Sequence, residues 1–150
     1  MRLKKIAAVV AVVMVGFFAQ ADVIDVPLGG DIAAAVTAAE PGSVIQLAAG
    51  TYTLAAEVTI AKNVTVKGAG RFATIIQSDG AYHRLFTLND DGAVLSDLTV
   101  KGGVLNGLAG NRSGAGLAIV KGTLQDSVVR DCEQKGGNYG AGVWMEGGAV

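Results

Sequence analysis

Asn63-Val-Thr-Val-Lys-Gly68, Asp97-Leu-Thr-Val-Lys-Gly102 and Asp126-Ser-Val-Val-Arg-Asp131 are three versions of one hexapeptide. Each opens on Asn or Asp and alternates with period two around a cation, so each reads as a short strand entered through a turn. The copies start 34 and then 29 residues apart. A second motif recurs at an offset of 26, in Gly114-Ala-Gly-Leu-Ala-Ile119 and Gly140-Ala-Gly-Val-Trp-Met145; Gly122 then matches Gly148, and Leu124 matches Val150. Offsets that drift between 26 and 34 fit a solenoid whose turns vary in length. In such a coil each strand pairs with its equivalent one turn away, and equivalent side chains stack about 4.8 Å apart.

The rest of the chain agrees with short strands between corners. Val44-Ile-Gln-Leu47, Val58-Thr-Ile60, Thr74-Ile-Ile76 and Leu85-Phe-Thr-Leu88 are separated by Gly, Asn, Asp, Lys and Ser, and strands of three or four residues are expected. Asp22 to Leu28 reads as an edge strand. One helix is expected after it. Asp31 is placed to cap it, Ile32, Ala35, Val36 and Ala39 fall on one face, and Pro41-Gly42 stops it. That helix is too short and too narrow on its apolar side to be a core element, and reads as a lid. No helical pattern separates the later strands, which argues against a βαβ fold. An antiparallel sandwich is the alternative, but sandwiches seldom repeat one hexapeptide three times and usually hold more aromatics.

Composition narrows the function. Hydrophobic residues make up 51%, charged residues 17% and aromatics 5%, with 22 glycines among 150 residues. That is too apolar for disorder. One Cys and one His exclude a disulfide framework, a Cys-based zinc site and any site needing two histidines. The formal net charge of −1 gives no sign of nucleic-acid binding. Residues 1–21 read as a secretory signal: Arg2, Lys4 and Lys5 precede the apolar run Ile6 to Ala19, and Ala19-Gln-Ala21 is a cleavage site. The run is shorter than the roughly 20 residues a membrane span needs. The expected mature chain starts at Asp22, holds 9 Lys and Arg against 13 Asp and Glu, and has no transmembrane span.

The stretch Gly30 to Tyr52 resembles the N-terminal cap and first coil of right-handed parallel β-helix proteins, the pectate-lyase-like superfold. Val64 to Gly70 and Ala93 to Gly102 resemble its internal coils. The later Gly-rich repeats are similar to those of exported bacterial surface proteins, among them polymorphic outer-membrane proteins and autotransporter passengers. The resemblance implies an all-β fold, a right-handed parallel β-helix (solenoid) with a short N-terminal capping helix. It implies a left-handed turn position for Asn63, Asp97 and Asp126, with Val64, Val66, Leu98, Val100 and Val129 pointing inward. Ser127 would stand in that inward column and need a backbone partner. The domain division expected is a signal peptide over 1–21, an N-terminal strand and capping helix over 22–42, and β-helix coils over 43–150. The repeat is interrupted at Val150, so the 150 residues are expected to be the front part of a longer protein or a truncated gene product.

The candidate sites follow. Lyases of this superfold pair a Trp-x-Asp-His stretch with an Arg-Pro-x-x-Arg stretch; neither occurs, so no catalytic residue carries over. His83 could serve as a general base, but its loop position suits a structural role. Asp90 and Asp91 with Asp97, and Asp126 with Asp131 and Glu133, form the best carboxylate clusters. Asp97 and Asp126 stacked one coil apart could ligate calcium or form a glycosidase pair; turn chemistry, with Asp90-Asp91-Gly92 as a turn tripeptide, is the stronger explanation. Asn63-Val-Thr65 and Asn111-Arg-Ser113 are glycosylation sequons with nothing to show a glycosylating host. Gly68-Ala-Gly70 and Gly114-Ala-Gly116 open no helix and read as corners. The sharpest expectation is a basic ladder: Lys67, Lys101 and Arg130 hold the same place in the hexapeptides and should point outward. Such a column would offer a track for an acidic polysaccharide or cell-surface glycan. The function expected is a secreted or cell-surface, non-catalytic, adhesin-like or glycan-binding protein, with the outer membrane among its expected locations. The alternatives are the N-terminal part of a polysaccharide lyase or hydrolase, and a structural stalk.

Overall fold

A computed structural model describes residues 21–106, 114–136 and 140–150. The expected signal segment, apart from Ala21, lies outside the described residues, as does the sequon at Asn111. Among the described residues no helix is long and apolar enough to cross a membrane.

The chain winds as a parallel β-solenoid whose coils present three faces. Face one stacks β1 (Val23–Val26), β2 (Val44–Leu47), β5 (Thr65–Lys67) and the second halves of β7 (Phe86–Ser96) and β10 (Leu117–Gln125). Face two stacks β3 (Gly50–Leu54), β6 (Thr74–Ser78), β8 (Thr99–Lys101) and β11 (Val128–Arg130). Face three stacks β4 (Val58–Ile60), the first halves of β7 and β10, and β13 (Val143–Met145). A short side ladder pairs β9 (Val104–Asn106) with β12 (Glu133–Lys135). Every pairing between these strands is parallel.

Alternation along each strand explains the core. Ile45, Leu47, Val66 and Leu95 of face one, Tyr52, Ile76 and Val100 of face two, and Ile60, Phe86, Leu88, Leu117 and Ile119 of face three are buried together. Val64 and Leu98 join them, and Val129 packs partly buried against the cluster. Stacking like on like lets each coil fill the volume left by the one before it, which is how a narrow solenoid reaches interior packing density. Tyr52 is the polar exception. Its hydroxyl donates to Val26 O at 2.9 Å and lies 3.3 Å from Ala48 O. Burial pushes that phenol up, partly offset by the Ala48 contact.

The helix α1 (Ile32–Ala38) forms as its sequence dictates. The Asp31 carboxylate accepts from Ala34 N at 2.9 Å, satisfying a donor the helix cannot. Ile32, Val36 and Ala39 are buried against the first coil. Lys62 Nζ donates to Thr37 O and Ala39 O at 2.9 and 2.6 Å, tying off carbonyls at the other end. Burying Ile32 and Val36 contributes about 1.5–3 kcal/mol each.

Among the described strands four are longer than the three or four residues expected, β3 and β6 by one residue and β7 and β10 by much more. β7 runs 11 residues and β10 runs 9, because each turns a corner without breaking its ladder. Phe86 to Leu88 pair with β4, while Val94 to Ser96 pair with β5. The register between β7 and β10 shifts on either side of Lys121, the mark of a bulged corner. Asp90-Asp91-Gly92 is therefore a bend inside a continuous strand, with Gly92 N donating to Asp90 Oδ1 at 2.9 Å.

The register also corrects the repeat alignment. Thr99 to Lys101 pair with Val128 to Arg130, so the offset of 29 between those hexapeptides is a true coil. The offset of 26 is another, since Leu117 pairs with Val143 and Thr123 bridges to Ala149. The offset of 34 is not. Thr65 pairs with Val94, so the copy that starts at Asn63 lies on face one and the copies at Asp97 and Asp126 lie on face two.

A candidate ligand-binding face

Face two carries the outward side chains that the hexapeptides drew attention to. Register aligns Thr53 with Gln77, Gln77 with Lys101, and Lys101 with Arg130. These four stand in one outward column, each about 4.8 Å from the next. Gln77 Nε2 donates to Thr53 Oγ1 at 3.2 Å, which orients the amide at the foot of the column. Lys101 is half-buried and Arg130 exposed. Arg130 Nη1 donates to Asp131 Oδ2 at 2.8 Å.

Lys67 does not belong to this column. It is exposed on face one, aligned with Gln46 on one side and Ser96 on the other. The expected ladder of three cations is thus a ladder of two, Lys101 and Arg130, and Lys67 points from a different face. The physical reason is the corner that flanks each hexapeptide. Residues 68–73 form a long corner after β5, whereas a single left-handed residue makes the corner ahead of β8.

Asp97 and Asp126 are the left-handed corner residues, with φ of 57° and 49°. Asp and Asn reach this region more readily than other side chains. Asn63 is not in the left-handed region. It lies at the corner between faces three and one, where Gly42 N donates to its carbonyl at 2.6 Å. Its side chain covers Gly92 so closely that a Cβ there would be 2.5 Å from Asn63 Oδ1. Asp131, with φ 53°, is a left-handed position that the sequence pattern did not single out. Ser127 finds the partner its place demands, donating to Gln125 O at 2.8 Å and accepting from Leu98 N at 3.4 Å.

Several of the carboxylates singled out in the sequence make individual ion pairs. Arg71 Nη2 lies 3.7 Å from Asp126 Oδ1. Asp91 faces Lys121 at 3.7 Å, on another part of the surface. Among the described residues no group of three or more His, Cys, Asp or Glu side chains is arranged to hold a metal. Arg71 belongs to the 68–73 loop, which is fixed over face two: Thr99 Oγ1 donates to Arg71 O, Ala69 N to Thr74 Oγ1, and Gly70 N to Asp97 O. The neighbouring Phe72 is 79% exposed on that anchored loop.

His83 lies in the loop before β7 with both ring nitrogens engaged. Nδ1 is 2.9 Å from Arg84 O, and Nε2 is 3.2 Å from Asp79 Oδ1 and 3.4 Å from Ser78 Oγ. The ring fastens the 79–83 loop to the end of β6 and offers no open nitrogen to a substrate. The Ala81 amide, and then His83, hold the Asp79 carboxyl below the usual carboxylate range. Behind this loop is a cluster that the sequence pattern did not reveal. Buried Arg84 donates through Nε to Gly114 O at 2.8 Å and through Nη1 to Thr87 Oγ1 at 3.2 Å, with Glu57 Oε1 at 3.5 Å. Thr87 Oγ1 also donates to Glu57 Oε1. The guanidinium satisfies the Gly114 corner and ties β4 to β7; only the polarity of Thr87 and Glu57 beside apolar strand positions hinted at it. Cys132 is half-buried, and burial raises its thiol above the ordinary range, against the pull of the Gly103 and Gly102 amides. Trp144 stands on β13, aligned with Ala118.

No family model, no curated protein and no solved structure matches the chain.

Proposed function

We propose that the protein is an exported, non-catalytic surface protein that binds an acidic glycan on face two. The observation that supports this reading is the outward column Thr53, Gln77, Lys101 and Arg130, in register over successive rungs. A hydroxyl, an amide and two cations at about 4.8 Å intervals present donors at a regular step, as a chain of repeating sugars bearing carboxylates would require. Parallel pairing fixes the backbone under each donor, so the column is preorganised along the solenoid.

The same geometry limits the strength of binding. Asp126 and Asp131 neutralise part of the local positive charge through Arg71 and Arg130. Contacts at exposed charges are screened by salt within about 10 Å at 0.1 M. Binding is therefore weak and falls steeply as salt is added. The engagement of both His83 nitrogens and the lack of the lyase motifs support a binding role over turnover. Right-handed coiling, as in the pectate-lyase-like superfold, is part of the same reading, and an experimental electron-density map tests it.

The test is retention on an immobilised polyuronate at low salt. The double variant Lys101→Gln, Arg130→Gln should elute in the void while Lys67→Gln is retained like the parent. Full retention of the double variant, or loss in Lys67→Gln alone, overturns the assignment to face two. Release of unsaturated or shortened products from the polyuronate overturns the non-catalytic reading.

A further inference from the structure

The N-terminal end of the solenoid is closed unevenly. Helix α1 packs under β4, and β1 covers β2, but among the described residues β3 has a partner on one edge only, β6. Gly50 N donates to Ala73 O, and Asp79 N donates to Leu54 O, so the even-numbered residues of β3 direct their backbone groups at β6. In a parallel strand the intervening residues direct both N–H and C=O the other way. The backbone groups of Thr51 and Thr53 thus face away from the sheet. They look into a groove of about 630 Å³ bounded on its far side by Gly29, Asp31 and Ile32. That volume lies within the range of about 300–1,000 Å³ common for ligand sites.

We infer that this groove accepts an extended peptide from a partner protein, added as a strand on the free edge of β3. Exposed strand edges template pairing unless they are covered or blunted. β3 is blunted by neither Pro nor Lys. At its first residue the Leu28 side chain closes over Gly50, where a Cβ would be 2.6 Å away, and this sets where an added strand must begin. From Thr51 onward no strand among the described residues covers the edge.

The walls specify the peptide. Added side chains level with Tyr52 and Leu54 would lie on the apolar side of the strand, so those positions call for Val, Ile or Leu. Side chains level with Thr51 and Thr53 would face outward. Of the two acidic residues lining the groove, Glu57 is paired with Arg84 and Asp31 stands exposed, and no lining residue is basic. The partner is therefore a segment with alternating apolar and polar residues and Lys or Arg among the polar ones. The free edge adjoins the outward column of face two at Thr53, but Lys101 and Arg130 lie two and three rungs away from it, so the glycan and peptide readings are tested by different variants.

The probe is a blocked pentapeptide, Lys-Val-Thr-Val-Lys, titrated into the full chain with hydrogen exchange read residue by residue. At saturation, exchange at the Thr51 and Thr53 amides should slow while β11 amides stay unchanged. Thr53→Pro removes a donor on the free edge without removing a bond to β6, and its ring obstructs the rung beside it. Binding should weaken about tenfold or more. A peptide N-methylated where it faces β3 should fail on the parent protein in the same way, which keeps the test intact if the Pro variant does not fold. Equal binding by the N-methylated peptide, or no change at Thr51 and Thr53, overturns the proposal. So does protection of both amides before peptide is added, because the edge would then already hold a strand of this chain or of a second copy.

Discussion

Val64-Thr-Val-Lys-Gly68 and Leu98-Thr-Val-Lys-Gly102 differ by one methylene in sequence, yet the solenoid uses them differently. The first pairs with Val44 to Gln46 and Val94 to Ser96 on face one; the second pairs with Ile75 to Gln77 and Val128 to Arg130 on face two. Thr65 is half-exposed, whereas Thr99 is buried and its hydroxyl donates to Arg71 O. Lys67 is exposed and Lys101 half-buried. The two glycines are required for unrelated reasons. A Cβ on Gly68 would lie 2.2 Å from Asp97 O, while Gly102 has open space around it but a φ of 73°. An inward–outward alternation is the same on every face of a solenoid. Corners and loop lengths decide which face a segment joins.

The glycine pair gives the largest contrast. Gly68→Ala must push the Asp97 carbonyl, Leu98 and Thr74 aside, since all three lie within 3 Å of the added carbon. Overpacking against backbone should cost about 3 kcal/mol. Gly102→Ala meets no atom and only holds Ala in the left-handed region, which costs about 1–2 kcal/mol. Urea denaturation of the two variants measures the difference; equal losses would mean that the two segments share one environment.

The entry residues come next. Asp97→Val places a β-branched side chain at φ 57° and should destabilise by about 1–2 kcal/mol, while Asp97→Asn should be near neutral. Asn63→Asp is also expected to be mild, and Asn63→Val keeps an ordinary backbone and loses only the cover over Gly92. A larger loss at Asn63→Val than at Asp97→Val, read from the same urea midpoints, would reverse the assignment of the left-handed corner.

The threonines give the smallest contrast. Thr99→Val removes a buried donor and leaves the Arg71 carbonyl short of a partner, about 1 kcal/mol. Thr65→Val on the half-exposed side of β5 should lie within about 0.5 kcal/mol of the parent. Proteolysis at Arg71 sharpens the reading: Thr99→Val should speed cleavage of the 68–73 loop, and Thr65→Val should not.

Much of the architecture is legible in the sequence, and the losses have physical causes. Helix α1 and its Asp31 cap, the inward columns through Val66 and Val100, and the coil offsets of 29 and 26 follow from local pattern. The face of the Asn63 hexapeptide does not, because the 68–73 loop that shifts it has no repeat signature. β12 is Glu133-Gln134-Lys135, with no apolar residue to announce a strand; it forms because Val104 to Asn106 offer a ladder. Half of the candidate site was visible. Lys101 and Arg130 align through the true offset, but Thr53 and Gln77 sit on strands that lack the motif. The groove beside β3 was invisible, since it depends on where α1 stops covering the end of the coil.

Cross-linking in a Cys132→Ala background tests the register itself. Neighbouring rungs bring Cα atoms to about 4.8 Å, inside the range of about 4.4–6.8 Å that a disulfide spans. Gln77→Cys with Lys101→Cys, and Lys67→Cys with Ser96→Cys, should each oxidise to an intramolecular disulfide under mild conditions. Lys67→Cys with Lys101→Cys should remain two free thiols. A disulfide in that last pair, with none in the first two, would put both hexapeptides on one face and contradict the solenoid register described above.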